Sequence, residues 1–242
     1  MQSGFIDIHC HILPGLDDGS QSMDMTRELL RLEIQEGVRQ IVFTPHLRDP
    51  WMHRVSSEDT ENAFHAVREM AEREFPDLSL YLGSEFMYSG HVLENHKDRI
   101  RPMNQTSFVL VEFLPSDDWT RIRGGVQELL QAGFDPILAH FERYACLVEK
   151  PDRVYELTEM GVYIQSNTGA TLHPESRKVK KFLKTMYKDR QIHLMATDCH
   201  DPERRAPHVM DAYRLVAKKF GEDYANDIFC NNALTLLQGE YL

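Results

Sequence analysis

Two histidines stand two residues apart near the amino terminus, in the segment FIDIHCH at residues 5–11. The alternating isoleucines predict a β-strand. Side chains two apart share a strand face, so Asp7 is expected on the face of His9 and His11. Ile6, Ile8 and Cys10 are then expected on the other face of the strand. Two imidazoles at a strand end can begin a metal site, although an isolated His-x-His pair is weak support for one.

Six further His, Asp and Glu residues stand at the carboxyl ends of other apolar runs. They are His46, Glu85, Glu112, His140, Asp198 and His200. Together with the first pair they form a set of eight candidate metal ligands, distributed over six predicted strands. The repetition of this placement along the chain is the strongest functional signal in the sequence.

The elements that carry these ligands alternate between strand and helix. After the first strand, strands are predicted at residues 40–44, 78–85, 108–112, 136–140, 162–165 and 193–197. Ser22 is a plausible N-cap of the first helix, which Gly37 ends. Ser56 and Asp59 have the spacing of a capping box at the start of the second helix. Strands that alternate with helices in this way predict parallel pairing and an α/β fold.

A closed barrel suits the candidate ligands better than an open sheet. In an open sheet the ends of six strands would be spread over tens of Å, whereas a barrel brings its strand ends to one mouth. We therefore predict a TIM-like (β/α) barrel with a metal site at its C-terminal mouth.

The donor types limit the chemistry of such a site. Eight side chains exceed the four to six ligands of one ion and suit two or three closely spaced divalent ions. A set of nitrogen and oxygen donors without thiolate favours Mn²⁺, Fe²⁺ or Zn²⁺ over a structural zinc or an iron–sulfur cluster. Asp7 is the expected hydrogen-bonding partner behind His9. Bridged metals activate water and hold phosphate oxygens, so metal-assisted hydrolysis of a phosphoester is expected.

The bulk composition is compatible with a single globular enzyme. The chain has 242 residues, and we expect residues 1–242 to form one domain. A net charge of −11 argues against a nucleic-acid-binding surface. No signal segment and no apolar run of membrane-spanning length is present, and the four cysteines lack C-x-x-C spacing. These features lead us to expect a cytoplasmic protein without disulfides.

The segment DIHCHILPGLDDG at residues 7–19 resembles the opening of the polymerase-and-histidinol-phosphatase (PHP) superfamily. More narrowly, it is similar to the CpsB/YwqE-type manganese-dependent protein-tyrosine phosphatases of bacterial capsule and exopolysaccharide loci. Further motifs follow in the family's order and approximate spacing over about residues 5 to 220. They are Thr44-Pro45-His46, Gly83-Ser84-Glu85, Val111-Glu112-Phe113, residues 139–143 and Thr197-Asp198-Cys199-His200.

The resemblance implies a distorted seven-stranded (β/α) barrel of the PHP type with three metals, manganese in this family, in its mouth. One ion would take His9, His11, Glu85 and Asp198. A second would share Glu85 and take Glu112 and His140. The third would use His46 and His200, with Asp18 as an additional candidate.

The same resemblance implies the reaction. A metal-bridging hydroxide would attack phosphorus without a covalent phosphoenzyme. The substrate would be a phosphotyrosine protein, namely a bacterial tyrosine kinase of capsule or exopolysaccharide synthesis with a tyrosine-rich tail.

Arginine is suited to bidentate binding of phosphate oxygens. Arg143 matches the family in this role, and the second position falls on Arg204 or Arg205, of which we favour Arg205. The chain departs from the family pattern at Phe141, at Asp201 and at residues 165–169, all near the expected substrate mouth.

Other functions stay open at this point. Cys199 and Arg205 have the spacing of a cysteine-dependent phosphatase loop, but Asp201 and Glu203 would repel phosphate there. A TatD-like metal nuclease also begins with His-x-His. A small-molecule phosphatase of the same superfamily, acting on histidinol phosphate or a sugar phosphate, is a nearer alternative. The last is a metal-binding module without activity.

The remaining histidines and the lysine run are expected at the surface. These histidines are His53, His65, His91, His96, His173, His193 and His208. Trp51 is expected to pack within its loop. The run at Lys178, Lys180, Lys181 and Lys184 predicts a solvated helix face rather than a binding patch.

Overall fold

A curled parallel β-sheet surrounded by helices forms the framework of the protein. The computed structural model describes residues 4–48 and 55–242. Its strands are β1 Phe5–Cys10, β2 Val38–Phe43, β3 His46–Leu47, β4 Ser79–Leu82, β5 Glu85–Met87, β6 Phe108–Glu112, β7 Asp135–Leu138, β8 Tyr163–Asn167 and β9 Leu194–Ala196.

The helices occupy the connections between these strands and the carboxyl terminus. They are α1 Met23–Gln35, α2 Ser57–Glu74, α3 Gly90–Asn95, α4 Trp119–Gln131, α5 Ala145–Glu149, α6 Asp152–Glu159, α7 Thr168–Leu172, α8 Arg177–Lys188, α9 Val209–Phe220, α10 Glu222–Asn226 and α11 Asn232–Leu237. A π-helical turn, Asp227–Asn231, joins α10 to α11.

Local signals in the sequence set the ends of the first two helices. The Ser22 side chain accepts a hydrogen bond from the Met25 N–H at 3.2 Å, and α1 ends before Gly37, whose φ is +91°. Ser56 and Asp59 form the predicted capping box, in which each side chain accepts from the other residue's backbone N–H. Both helix starts are confirmed.

The strands pair in parallel throughout and form two connected sheets. The orders are β1-β2-β4 and β3-β5-β6-β7-β8-β9. The predicted strand at residues 40–44 corresponds to β2, and β3 begins two residues beyond it; the predicted strand at residues 78–85 is divided between β4 and the first residue of β5. The breaks fall at Thr44-Pro45, where proline cannot donate a ladder hydrogen bond, and at Gly83-Ser84. The prediction of one continuous strand at residues 78–85 was therefore wrong.

Hydrogen bonds between the first and last strands close the sheet on itself. The Asp198 N–H donates to the His9 carbonyl at 2.8 Å, and the His11 N–H donates to the Cys199 carbonyl at 2.9 Å. Seven strand positions thus form a distorted (β/α) barrel, as predicted. The closure places the residues that follow β9 directly beside those that end β1.

Two apolar layers fill the molecule. The inner layer contains side chains from β1, β2, β6, β7 and β9 and is covered at one end by Cys230, Ala233, Leu236 and Leu237 of the carboxyl-terminal helices. The outer layer packs the other face of the strands against the helices. The barrel is therefore a packed core rather than a pore.

An irregularity within β1 changes which side chains face the mouth. Asp7 pairs with Ile41 and Cys10 with Phe43, so β1 advances three residues while β2 advances two. Such a bulge moves the following side chains to the other face. Ile6 and Ile8 belong to the inner layer and Cys10 to the outer one. The strict alternation predicted for residues 5–11 was therefore wrong, although His9 and His11 still converge.

Several other predictions concern positions away from the mouth. His53 and Trp51 lie outside the described residues. His193 is half-buried rather than at the surface, and its Nδ1 accepts a hydrogen bond from the Ile164 N–H at 3.0 Å.

All four cysteines are free thiols. Among the described residues, no helix has the length and apolarity needed to cross a lipid bilayer.

Candidate metal centre

The barrel brings all eight candidate ligands to its carboxyl-terminal mouth. His9 lies near the end of β1, His46 in β3, Glu85 in β5 and Glu112 at the end of β6. The others lie just beyond strands, in the order His11 after β1, His140 after β7, then Asp198 and His200 after β9. All eight side chains are less than a tenth exposed.

The first group of side chains surrounds the carboxylate of Glu85. The Nε2 atoms of His9 and His11 lie 3.3 Å apart, and each lies 3.2 Å from an oxygen of Glu85. Oδ1 of Asp198 lies 3.4 Å from Nε2 of His9 and 3.5 Å from Nε2 of His11. Two imidazole nitrogens that approach each other and the same two carboxylates have the arrangement of ligands around one cation.

Glu85 also reaches the opposite side of the mouth. Its oxygens lie 2.8 Å from Nε2 of His140 and 3.0 Å from Nδ1 of His46. Glu112 lies 3.1 Å from the same His46 nitrogen and 3.8 Å from His140. One carboxylate therefore contacts four imidazoles, which suits a bridging ligand. In this arrangement Glu112 is closer to His46 than to His140, the residue with which the family resemblance groups it.

Asp18 joins a third group at the outer edge of the mouth. Its Oδ1 lies 3.2 Å from Nε2 of His46 and 3.6 Å from Nε2 of His200. The His200 ring lies 4.0 Å from the His11 ring, centroid to centroid. Asp18 itself is 62% exposed, so it is the most accessible carboxylate of the group. These side chains, His11 included, can offer ligand atoms that lie within 4.8 Å of one another.

Contacts between buried carboxylates and imidazoles shift the pKa values of both kinds of group at the mouth. Burial alone would raise the pKa of Glu85, but the charge of His9 and hydrogen bonds from three other histidines hold it well below its ordinary value. Burial likewise disfavours the charged form of His46, but hydrogen bonds to Asp18, Glu112 and Glu85 raise its pKa to about 12. Against the effect of burial, the carboxylates thus raise the pKa values of His9, His11 and His46, and divalent cations can supply this positive charge instead.

The donor atoms fit metal ions on independent grounds. Several buried polar atoms at the mouth lie close to charged neighbours but make no well-directed hydrogen bond within the described part of the chain; they are Nδ1 of His46, Oε1 of Glu112, Nδ1 of His140 and Nε2 of His200. Buried polar atoms are normally satisfied, so a cluster of exceptions indicates a missing partner. A bound cation would satisfy these nitrogen and oxygen donors together.

Asp17 orients His11, and the sequence analysis missed it. Oδ2 of Asp17 lies 2.8 Å from Nδ1 of His11 and accepts the His46 N–H at 3.0 Å, while Oδ1 accepts the Gly19 N–H at 2.9 Å. The aspartate thus directs Nε2 of His11 into the mouth, as carboxylates behind metal-bound histidines do. The Asp-x-Gly spacing of a side-chain turn was the available signal.

Gln165 has the corresponding role for His9 and was also missed. Its Oε1 lies 3.2 Å from Nδ1 of His9 and accepts the His140 N–H at 2.8 Å. Its Nε2 donates to Asn167, whose Nδ2 donates to Asp198 at 2.8 Å. Residues 165–169, noted in the sequence only as a departure from the family pattern, therefore support three ligands.

Asp7 does not support the His9 ring, contrary to the sequence-based expectation. Its carboxylate accepts hydrogen bonds from the Thr197 N–H at 3.0 Å and from the Thr197 hydroxyl at 2.6 Å. It lies in a buried group with Glu33 of α1 and Cys199. The bulge that follows Asp7 in β1 explains the difference, because it places Asp7 and His9 on different faces.

Two ligands have backbone conformations that non-glycine residues rarely adopt. The φ angle is +32° at His140 and +53° at Asp198. Left-handed conformations of this kind cost free energy and are concentrated at functional sites. Here they turn the chain immediately after β7 and β9, so that each side chain points into the mouth.

Arg143 and Arg205 flank Asp198 at the entrance. Their Nη2 atoms lie 2.7 and 2.8 Å from Oδ2 of Asp198, and each side chain is 36% exposed. Burial opposes ionisation of Asp198, but the charges of His9 and Arg143 hold its pKa well below the ordinary value. Arg204 is exposed and has no ion pair with Asp198 among the described residues. All three arginines line a pocket of about 290 Å³ next to the ligands.

Cys199 does not have the surroundings of a phosphatase nucleophile. Its side chain is fully buried, and its thiol donates to Oε1 of Glu33 of α1 at 3.4 Å. A nucleophilic thiolate needs access to the phosphorus atom and a positive environment. The cysteine-based alternative is therefore not supported by the geometry.

The chain is similar to known proteins over nearly its whole length. Residues 5–238 match the family described as capsular polysaccharide synthesis, CpsB/CapC. The chain is 32% identical to tyrosine-protein phosphatase CpsB of Streptococcus agalactiae, over 98% of this chain and 100% of that protein. It is 29% identical to tyrosine-protein phosphatase YwqE of Bacillus subtilis, over 97% of this chain and 92% of that protein.

Solved structures with a similar fold include metal-dependent phosphatases of the same kind. The fold matches a crystal structure from work on YwqE of B. subtilis and CpsB of Streptococcus pneumoniae, described as metal-dependent tyrosine phosphatases. The TM-score is 0.88 at 27% identity, covering 98% of this chain and 96% of that one. Histidinol phosphate phosphatase from Lactococcus lactis shares the fold, with a TM-score of 0.60 at 16% identity over 90% and 94% of the two chains. The chain belongs to the CpsB/CapC family.

Proposed function

We propose that this protein is a metal-dependent protein-tyrosine phosphatase. The observation that carries the proposal is the convergence of eight His, Asp and Glu side chains beside a pocket lined by Arg143 and Arg205. The relatives named as tyrosine-protein phosphatases support the same activity. A module that only binds metal would not need two arginines aimed into an adjacent pocket.

The metal set we propose is two or three divalent ions. Nitrogen and oxygen donors suit Mn²⁺, Fe²⁺ or Zn²⁺, and the resemblance to the CpsB/YwqE-type phosphatases favours Mn²⁺ among them. His9, His11, Glu85 and Asp198 would hold the first ion. Glu85, Glu112 and His140 would hold the second, and His46, His200 and Asp18 the third. When bound, such ions lower the pKa of a coordinated water towards neutrality and stabilise charge on phosphate oxygens.

The chain's own residues supply orientation and charge. Asp17 and Gln165 each accept the Nδ1–H of a histidine and leave its Nε2 free to face the mouth. The Asp198 carbonyl lies 3.0 Å from Nδ1 of His200 and has the same effect there. Arg143 and Arg205 would bind the non-bridging phosphate oxygens, since their guanidinium groups already meet at one carboxylate oxygen.

For the substrate we propose the phosphotyrosine residues of a bacterial tyrosine kinase of capsule or exopolysaccharide synthesis. The family description supports this setting. We further propose that residues 1–242 act as one catalytic domain. The free thiols are consistent with a reducing, cytoplasmic setting for the reaction.

The test is hydrolysis of an aryl phosphate with and without chelator, with bound metal counted in the same sample. Phosphotyrosine peptide, histidinol phosphate and single-stranded DNA are then offered in parallel. We expect metal-dependent turnover with preference for the peptide. Preference for histidinol phosphate or DNA would assign the protein to a small-molecule phosphatase or a nuclease, and absence of all turnover would favour a binding module.

A further inference from the structure

A lysine-rimmed groove lies on the outside of the barrel, between α7, α8 and α9. Its floor is apolar, formed by Leu172, Pro174, Leu183, Leu215, Val216 and Phe220. Lys180, Lys184 and Lys188 border it from α8, and Lys219 borders it from α9. Its volume is about 520 Å³, larger than that of the pocket beside Asp198.

The charge of the groove contrasts with the rest of the protein. The whole chain carries a net charge of −11, yet no acidic side chain lines this groove in the described parts of the chain. The four lysines are exposed and have no carboxylate partner there, whereas Lys178 on the same helix pairs with Glu149 at 3.2 Å. Unpaired positive charges around an apolar floor suit an acidic partner that also carries an apolar side chain.

Spacing along α8 concentrates this charge. Lys180, Lys184 and Lys188 are four residues apart, so they lie on one face of the helix, where like charges repel. The helix dipole accounts for Lys188 in the last turn, but it does not account for Lys180 and Lys184 further from that end. An anionic partner would relieve the repulsion.

The groove is a direct neighbour of the active-site pocket. Gly169 and Ala170 of α7 line the pocket beside Asp198, while Thr171 and Leu172 of the same helix line the groove. The two cavities are therefore separated by one short helix, about 10 Å across. An extended peptide covers about 3.3 Å per residue, so roughly three to six residues would span this distance.

We propose that the groove is a docking site for an acidic segment of the phosphotyrosine protein substrate. Carboxylates would pair with the lysine rim and one apolar side chain would enter the floor, while the phosphotyrosine occupies the pocket beside Asp198. This inference rests on the proposed phosphatase function and adds a substrate feature to it, namely acidic and apolar residues a few positions from the phosphotyrosine.

The test compares phosphotyrosine peptides that differ only in this segment. Two peptides carry Glu-Glu-Leu-Glu about four to eight residues from the phosphotyrosine, one on each side, and matched peptides carry Gln in place of Glu. We expect one acidic peptide to have a KM about tenfold below its Gln counterpart at low salt, with an unchanged kcat. The advantage should disappear at high salt.

Two charge-matched double variants locate the effect. Lys180→Glu/Lys184→Glu alters the groove, and Arg177→Glu/Lys181→Glu makes the same charge change, at the same spacing, outside it. The first should abolish the KM advantage and the second should retain it, with p-nitrophenyl phosphate turnover unchanged in both. Equal KM values for the Glu and Gln peptides, or equal loss in both variants, would overturn the proposal.

Two further measurements distinguish peptide docking from catalysis and from lipid binding. Fluorescence anisotropy of a labelled, unphosphorylated acidic peptide tests docking even if the protein turns over no aryl phosphate, so a failure of the proposed activity is recognised separately. Sedimentation with phosphatidylglycerol vesicles tests for a lipid surface. Vesicle binding that depends on Lys180 and Lys184, without discrimination between peptides, would assign the groove to membranes and contradict the proposal.

Discussion

The side-chain oxygen of Gln165 on β8 lies 3.2 Å from Nδ1 of His9 on β1, across the mouth of the barrel. The same oxygen accepts the His140 N–H at 2.8 Å, which identifies it as the acceptor end of the amide. Nδ1 of His9 must therefore donate, and Nε2 is left as the ligand atom. One neutral side chain thus sets both the tautomer of His9 and the position of His140.

Replacement of Gln165 by leucine should weaken metal binding without unfolding the barrel. We expect about a 10- to 100-fold loss of metal affinity, as is typical when the partner of a metal-bound histidine is removed. Titration of the metal-free protein with Mn²⁺, together with kcat/KM for an aryl phosphate, measures the effect. Gln165→Glu retains the acceptor and should recover part of the affinity. Equal losses in the two variants would contradict the assigned role.

Removal of the central carboxylate should have a larger effect. Glu85 contacts four imidazoles, so Glu85→Gln removes the charge that bridges them. We expect the loss of at least one bound metal per chain and a fall in kcat of about 100-fold or more. Metal content and activity are measured on the same sample, with Cys199→Ser as the control that keeps both. Activity that survives chelation and His9→Ala but is lost in Cys199→Ser would refute the metal mechanism.

Of the three arginines at the entrance, Arg143 and Arg205 should contribute to phosphate binding and Arg204 should not. Arg143→Lys and Arg205→Lys should each reduce kcat/KM for p-nitrophenyl phosphate by about 10- to 100-fold, because lysine cannot make the bidentate contact. Arg204→Lys is the neighbouring control and should stay within about twofold of wild type. The inhibition constant for inorganic phosphate should rise in Arg143→Lys and Arg205→Lys and stay nearly unchanged in Arg204→Lys. A larger effect at Arg204 than at Arg205 would reverse the assignment.

Gly19 should not tolerate a side chain. A Cβ atom there would overlap the His11 carbonyl oxygen and lie 2.5 Å from the His11 Cβ, so the loop that carries Asp17 would have to move. Gly19→Ala should therefore lower metal affinity and the melting temperature together. Gly124→Ala, where nothing lies within 4 Å, is the matched control and should be neutral or stabilising. Normal metal binding by Gly19→Ala would show that the loop moves without consequence.

The stability of the protein should fall in mildly acidic solution partly because of His193. Burial lowers the pKa of His193 to about 4 from its ordinary 6.5. Between these values the unfolded chain binds a proton that the folded chain excludes, so the stabilisation present above pH 6.5 is lost as the pH falls towards 4. Since the ring is partly exposed, we expect a contribution of about 1 to 2 kcal/mol.

Urea unfolding of chelated protein at several pH values measures this contribution. His193→Asn retains an acceptor for the Ile164 N–H and has no titrating ring, so its free energy of unfolding should depend less steeply on pH between 4 and 6.5. Parallel curves for the variant and the wild type would exclude His193 as a source of the pH dependence.

The architecture and the set of candidate ligands could be predicted from the amino-acid sequence alone. Apolar runs that alternate with capped helices predict a parallel α/β fold, because strand and helix periodicities are local properties. The candidate ligands could be selected because each ends or follows such a run, and the carboxyl ends of barrel strands meet at one mouth. Arg143 and Arg205 were selected as candidates on other grounds, namely the affinity of arginine for phosphate oxygens and the family resemblance.

The orientation of these residues and their hydrogen-bonding partners could not be predicted in this way, because they depend on contacts between distant segments. The bulge after Asp7 follows from the pairing of β1 with β2, which no local pattern reveals, and it changes the partner of His9 from Asp7 to Gln165. Gln165 and His9 are 156 residues apart in sequence, so their contact exists only once the barrel closes. The lysine-rimmed groove could not be predicted either. The residues of α8 alone indicate a solvated helix face, and the groove exists only because α7 and α9 pack beside that face.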